Sequence, residues 1–231
     1  MPDHDAIYAN EAERYHQLIA KQPDLKEVIE EIRPIEGLDV VDLGAGSGRL
    51  TSVLAGLARS IIALDANEPM LHLAAERLTQ AGHTNWRTQA ADHRQLPLAD
   101  HSADLVVSGW SICYLASDEL ADWEQNIRQV LAEIKRVLRP DGTVIIFETM
   151  GTGYETPNPP SFLKPYYAAL AGQYGFSHKW IRTDYSFDSA EQAEQLARFF
   201  FSDELADKIA RDKLAHLPEC AGIWWLHLQE A

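Results

Sequence analysis

Basic side chains are scarce in this sequence. Lysine and arginine number 20 against 35 aspartates and glutamates, a formal charge of −15 over 231 residues. Nucleic-acid affinity comes largely from phosphate contacts made by a basic surface, so DNA and RNA partners are disfavoured; anionic membrane surfaces are disfavoured for the same reason. Cysteine is almost missing: Cys113 and Cys220 stand far apart, each beside apolar residues, and read as buried reduced thiols. No Cys-x-x-Cys pair exists for zinc or redox work. The nine histidines show no His-Glu-x-x-His or other metal spacing, so no metal is expected. No apolar run reaches the roughly 18–20 residues of a membrane span. The opening MPDHDAIYANEAERY is polar and acidic, unlike a signal peptide, which makes the cytoplasm the expected compartment.

What is present suits one globular domain. Apolar residues make up 46% and charged residues 24%, and the length allows a substantial core without staples. Apolar positions at helical spacing predict helices over 9–21 and 24–33, parted by Pro23 and stopped by Pro34. From residue 38 onward, strands alternate with helices. Strands are expected over 38–44, 61–66, 85–91, 103–110 and 142–150. Helices are expected over 48–60, 68–82 and 117–142, the last capped by Ser117 or Asp118 and stopped by Pro140. The strands are apolar runs rather than alternating patterns, the mark of a parallel sheet covered on both faces. Beyond Met150 the rhythm changes. A loop, a helix over 162–175, a strand over 178–187, helices near 189–201 and 203–215 and a last strand over 221–229 are expected. Asn158-Pro159-Pro160 reads as a loop stiffener.

The stretch VVDLGAGSGRLT, residues 40–51, joins the first strand to its helix. A glycine turn there lets a ligand approach the backbone and the helix N-terminus. A phosphate loop would need Gly-Lys-Ser/Thr at its end, and Arg49 and Thr51 do not fit. A dinucleotide turn has Gly-x-Gly-x-x-Gly, whereas Gly44, Gly46 and Gly48 place the third glycine one position early. Asp65 lies where a ribose-binding carboxylate is expected, but it serves any nucleoside cofactor. Asp42, two places before the first glycine, would repel a diphosphate at close range.

With that aspartate, the stretch resembles motif I of the class I S-adenosylmethionine-dependent methyltransferases. The resemblance continues through ALDANEPML, AADHRQLPLADHSADLVVSGW and VLRPDGTVIIFE, and covers residues 38–150 well. It implies a Rossmann-like, doubly wound, mostly parallel seven-stranded α/β sheet with helices on both faces. It further implies an N-terminal helical cap over residues 1–34, a cofactor core over 35–150 and a substrate wall with the final strands over 151–231. The implied cofactor is S-adenosylmethionine. Asp42, Gly44, Ala45, Gly46 and Gly48 would lie near its amino-acid end, Asp65 on both ribose hydroxyls, Ala66 and Met70 beside adenine, and Asp92 on the adenine amino group with His93 adjacent. Ser108 and Trp110 follow on the fourth strand, and Trp110 could offer its ring face to the sulfonium. From the N-terminal helices, Tyr15 and Arg14 are candidates for the methionine carboxylate.

The implied reaction is methyl transfer to a small-molecule acceptor through an O, N or C nucleophile. The methyl group is already activated, so alignment and exclusion of water carry most of the work. A hydroxyl or acidic carbon would need a base within hydrogen-bond reach, for which His178, Tyr114, Glu148 and Tyr154 are candidates. The aromatic residues of 151–220 suggest a partly apolar acceptor. Monomer and homodimer are both compatible. An NAD-dependent oxidoreductase and a non-catalytic cofactor-binding module remain alternatives on the same fold.

Overall fold

A computed structural model describes residues 2–229. The chain opens with α1 (His4–Asn10), α2 (Ala12–Ile19) and α3 (Lys26–Ile32). The alternating part runs β1 (Asp39–Leu43), α4 (Arg49–Leu54), β2 (Ser60–Asp65), α5 (Glu68–Gln80), β3 (Trp86–Ala90), β4 (Ala103–Gly109), α6 (Cys113–Ala116), α7 (Trp123–Val137) and β5 (Leu138–Thr152). A short 3₁₀ turn (Ser161–Leu163) then leads into α8 (Lys164–Gly172), β6 (Ser177–Arg182), β7 (Tyr185–Ser186), α9 (Ala190–Phe200), α10 (Asp203–Asp212), β8 (His216–Leu217) and β9 (Glu219–His227).

The main sheet has seven strands in the order β3-β2-β1-β4-β5-β9-β6. The pairs from β3 through β5 are parallel, and β9 runs antiparallel to both β5 and β6. Chain order reverses between β1 and β4, the switch point at which open α/β sheets bind ligands beyond the strand ends. The two-residue strands β7 and β8 pair separately.

The apolar strand runs have the expected cause. Side chains alternate across a strand, so neighbouring residues serve opposite faces. Val41, Val106 and Ile146 join a cluster with Ile127, Val130, Leu131, Ile134 and Val137 of α7. Val40, Val107 and Ile145 join another with Ile29 of α3 and Leu50 and Leu54 of α4. Fully burying each such side chain contributes about 1.5–3 kcal/mol. At the edge opposite the switch point, Arg59 and Arg139 bridge Asp39 and Asp104, which fastens the starts of β1, β4 and β5.

Several boundaries differ from expectation. The helix expected over 117–142 is α7, fifteen residues long. Before it, Ser117–Asp122 folds as turns, with the Asp118 amide held by the Phe162 carbonyl at 3.0 Å, a tertiary contact that overrides helix propensity. After it, Leu138 has ψ 140 and already pairs with Ala103, so the helix ends at Val137, three residues before Pro140. The helix expected over 9–21 is two, α1 and α2, broken at Glu11, whose φ is −132. The helix expected over 48–60 stops at Leu54. The strand expected over 178–187 splits into β6 and β7 at Asp184, whose side-chain Oδ1 takes the Glu219 amide at 3.0 Å in place of a ladder bond.

Candidate active site

Beyond the ends of β1 and β4 lie two adjoining chambers, of about 330 and 890 Å³. Both fall in the range of small-molecule sites, roughly 300–1,000 Å³. Gly44, Gly46, Trp110, Tyr8, Tyr15 and Tyr114 line both.

The turn after β1 is shaped by glycine. Gly44 has φ +77, and a Cβ there would overlap the side chain of Ser111. Four of the turn's amides are already committed. The Gly44 and Ala45 N–H groups donate to the Leu64 carbonyl at 2.7 and 2.9 Å, Gly46 N–H to Asp65 Oδ2 at 2.8 Å, and Gly48 N–H to the Ala45 carbonyl at 2.9 Å. A diphosphate cradle needs such donors free and aimed at the ligand. Here the amides of all three glycines are taken, and the turn adds a carboxylate. Asp42 is buried at the wall of the larger chamber. Its Oδ2 accepts from Thr51 Oγ1 at 2.5 Å, while Oδ1 has no partner among the described residues. Burial, reinforced by Asp65 nearby, pushes its carboxyl up to about 7. The arrangement accepts a cation and disfavours a dinucleotide.

The smaller chamber carries the expected nucleoside residues. Asp65 ends β2, its Oδ2 on Gly46 N–H and its Oδ1 on Asn67 N–H at 2.8 Å, so each oxygen keeps a lone pair. Burial raises its carboxyl above the usual range. Ala66, Met70, Asp92 and His93 line the same space. Asp92 is gripped bidentately by Arg94, which holds it down to about 2. His93 pairs its Nε2 with Ser111 Oγ at 2.7 Å, and burial pushes it down to about 4.

A polar aromatic screen separates the chambers. His4 Nε2 lies 3.0 Å from the Phe200 carbonyl, which can only accept, so Nε2 carries the proton. In the neutral ring Nδ1 then accepts from Tyr114 Oη at 2.9 Å, leaving Tyr8 Oη to donate to Tyr114 at 2.7 Å. The His4 ring stacks on Phe200 at 4.2 Å, which ties α1 to α9 across the site. Tyr15 packs edge-on against Tyr8, and burial pushes its phenol up to about 12. Trp110 sits at φ +51, uncommon for a bulky residue and a strain typical of ligand sites.

The larger chamber holds residues that sequence reasoning missed. The Arg49 guanidinium lies 4.4 Å over the Trp110 ring and donates to Gln22 Oε1 at 2.7 Å. Glu219, at the start of β9, is 2% exposed and lines the chamber. Its Oε1 accepts from Thr149 Oγ1 at 3.1 Å, and its Oε2 has no partner among the described residues. A lone acid heading the apolar run ECAGIWWLH was the available signal for it. Asn158, Pro159 and Pro160, expected only to stiffen their loop, form part of this wall.

Other candidates fall elsewhere. Ser108 is fully buried, donates to the Leu43 carbonyl at 2.8 Å and lines neither chamber. Gly48 also lines neither; it lets α4 approach Ala74 of α5. Arg14 points away, over Phe199 at 4.3 Å and paired with Glu11, because its helix turns Tyr15 inward instead. Trp110 lines both chambers, but one ring face is already covered by Arg49. Among the proposed bases, His178 is exposed on the edge strand β6 against Trp224, and Glu148 is buried behind the wall, accepting from Cys113 N–H at 3.0 Å. Neither lines a chamber. Tyr154 lines the larger chamber and Tyr114 both. Among the described residues, no three His, Cys, Asp or Glu side chains are grouped to hold a metal ion, and no helix is long and apolar enough to cross a membrane.

Fold and site thus define a Rossmann-like protein whose glycine turn suits a nucleoside with a cationic end rather than a diphosphate. Residues 41–146 match the model of a methyltransferase domain. The chain is 30% identical over 184 residues to a demethylmenaquinone methyltransferase of Lactobacillus johnsonii, covering 74% of this chain and 70% of that protein. It is 32% identical over 103 residues to phosphoethanolamine N-methyltransferase 1 of Caenorhabditis elegans, covering 45% of this chain but only 21% of that protein. A SAM-dependent methyltransferase of Aquifex aeolicus shares the fold, with a TM-score of 0.57 at 16% identity over 98% of this chain and 94% of that one. The chain belongs to the S-adenosylmethionine-dependent methyltransferases.

Proposed function

We propose that this chain transfers a methyl group from S-adenosylmethionine to a small molecule held in the larger chamber. The observation that carries this reading is the turn after β1: the amides of all three glycines and of Ala45 are spent within the protein, and beside it Asp42 keeps a buried oxygen without a partner among the described residues. An ammonium group satisfies that oxygen, whereas a diphosphate would meet a carboxylate at close range and glycine amides already taken.

In this reading residues 35–150 hold the cofactor, and residues 1–34 with 151–229 wall the acceptor. Asp65 bonds the ribose hydroxyls, Ala66 and Met70 flank the base, and Asp92 and His93 close that end. Asp42 takes the ammonium and Arg49 the carboxylate of the amino-acid end. Tyr8, Tyr15 and Tyr114 stand between the two chambers and keep bulk water from the reacting atoms. Bound S-adenosylmethionine supplies a methyl group on a sulfonium, so the protein contributes alignment more than bond activation.

Titration calorimetry with S-adenosylhomocysteine and with NADH tests the reading. The thioether product is expected to bind and NADH to give no heat of binding. Tight NADH binding with none of the thioether at millimolar concentration overturns it.

A further inference from the structure

Four cationic side chains line the larger chamber against three carboxylates, within a strongly acidic chain. Lys164, Lys208 and Arg211 stand exposed around it, and Arg49 lies deeper on its wall. Despite 35 carboxylates in the sequence, Lys164, Lys208 and Arg49 make no ion pair among the described residues. The acidic residues on the same wall are Asp42, Glu204 and Glu219. Of these, Asp42 and Glu219 are buried and each keeps an oxygen with no partner among the described residues. Like-charged side chains grouped around a low-dielectric recess focus their field on a ligand of opposite sign. Such grouping works against an acidic chain's net field and needs a local reason.

We propose that the acceptor is an oxyanion-bearing small molecule, its anionic group held by Lys164, Lys208 and Arg211 and its nucleophilic hydroxyl or amine presented to Glu219. The proposal rests on the methyl-transfer reading of the same chamber and adds the acceptor's class. Glu219 heads β9 next to the irregular β5–β9 pairing at Thr149–Thr152, so its carboxylate is fixed from one side by Thr149 while its buried Oε2 keeps no partner among the described residues. Asp184 bonds its amide at 3.0 Å, and Arg49 faces it from across the wall. Burial pushes its carboxyl up to about 7, which suits a proton acceptor near neutral pH. For a hydroxyl acceptor the oxygen bonds the methyl carbon as the carbon–sulfur bond breaks, the electron pair stays on sulfur, and the hydroxyl proton passes to Glu219. Deprotonation of Glu219 to solvent completes the cycle.

Calorimetry on protein saturated with S-adenosylhomocysteine separates the parts, with three probes on one ring: 4-hydroxyphenyl phosphate, phenyl phosphate and hydroquinone. The hydroxylated phosphate is expected to bind about tenfold tighter than hydroquinone, a preference lost in Lys164→Gln/Lys208→Gln. It is also expected to bind about tenfold tighter than phenyl phosphate, a preference lost in Glu219→Gln alone. Equal binding of the phosphate and hydroquinone, or a phosphate preference that survives the double substitution, overturns the oxyanion site. A hydroxyl preference unchanged in Glu219→Gln overturns the role of Glu219. Binding of S-adenosylhomocysteine by every variant verifies folding. Its failure in the unaltered protein overturns the cofactor reading instead.

Discussion

Substituting Gly44 with alanine tests how the glycine turn is built. At φ +77 any L side chain is strained, by about 1–2 kcal/mol. The added Cβ would also overlap Ser111 Oγ and Cβ and lie 3.2 Å from His93 Nε2, an overpacking worth about 1–3 kcal/mol. The expected loss is about 2–5 kcal/mol, a large fraction of the 5–15 kcal/mol typical of a domain. The two contributions separate in a double-mutant cycle. Ser111→Gly removes both overlapped atoms and, alone, forfeits its 2.7 Å hydrogen bond to His93, about 1 kcal/mol. Gly44→Ala in the Ser111→Gly background retains the backbone strain and sheds the overlap, which predicts a favourable coupling of about 1–3 kcal/mol. Urea unfolding of the four proteins measures it. A Gly44→Ala protein as stable as the parent, or additive effects in the cycle, refutes the packing of this turn against the β4–α6 turn.

Asp65→Ala removes both proposed ribose contacts, and S-adenosylhomocysteine affinity is expected to fall roughly 100-fold by calorimetry, at about 1.5–3 kcal/mol for a bond to a charged group; an unchanged affinity removes Asp65 from its role. Asp42, pushed up to about 7, is about nine-tenths protonated at pH 6, so an arriving ammonium releases about 0.9 proton there and about 0.1 at pH 8. Calorimetry in buffers of different ionisation enthalpy reads this release, and Asp42→Asn should abolish it; equal release from both proteins refutes the contact. Burial raises Glu148 from 4.5 to about 8, so between those values the folded state binds more protons than the unfolded one and stability falls as pH rises. Glu148→Gln should therefore gain on the parent by up to about 1.4 kcal/mol per pH unit across that window, measured by urea unfolding; parallel pH profiles contradict it.

The parts legible in the sequence share a physical reason: their signals are local. Asp42, Gly44, Gly46 and Asp65 are fixed by spacing around a strand end, and the apolar strand runs report burial on both faces. The parts that were not legible depend on distant chain. The Tyr8–Tyr114–His4 chain joins residues more than a hundred positions apart. Arg14 and Arg49 are chemically alike in sequence, and only packing sends one to solvent beside Phe199 and the other onto Trp110. Ser108 stands on β4 next to the site, yet the strand's alternation turns it to the Leu43 carbonyl. The start of α7 lies beyond its capping signals because the Phe162 loop captures Asp118.

A crystal structure of the protein soaked with S-adenosylhomocysteine tests the central claim most directly. The account predicts the nucleoside in the smaller chamber, with the ribose hydroxyls on Asp65 and the amino-acid ammonium beside Asp42. An empty chamber in crystals that hold the compound elsewhere, or a nucleoside bound away from Asp65, would contradict it.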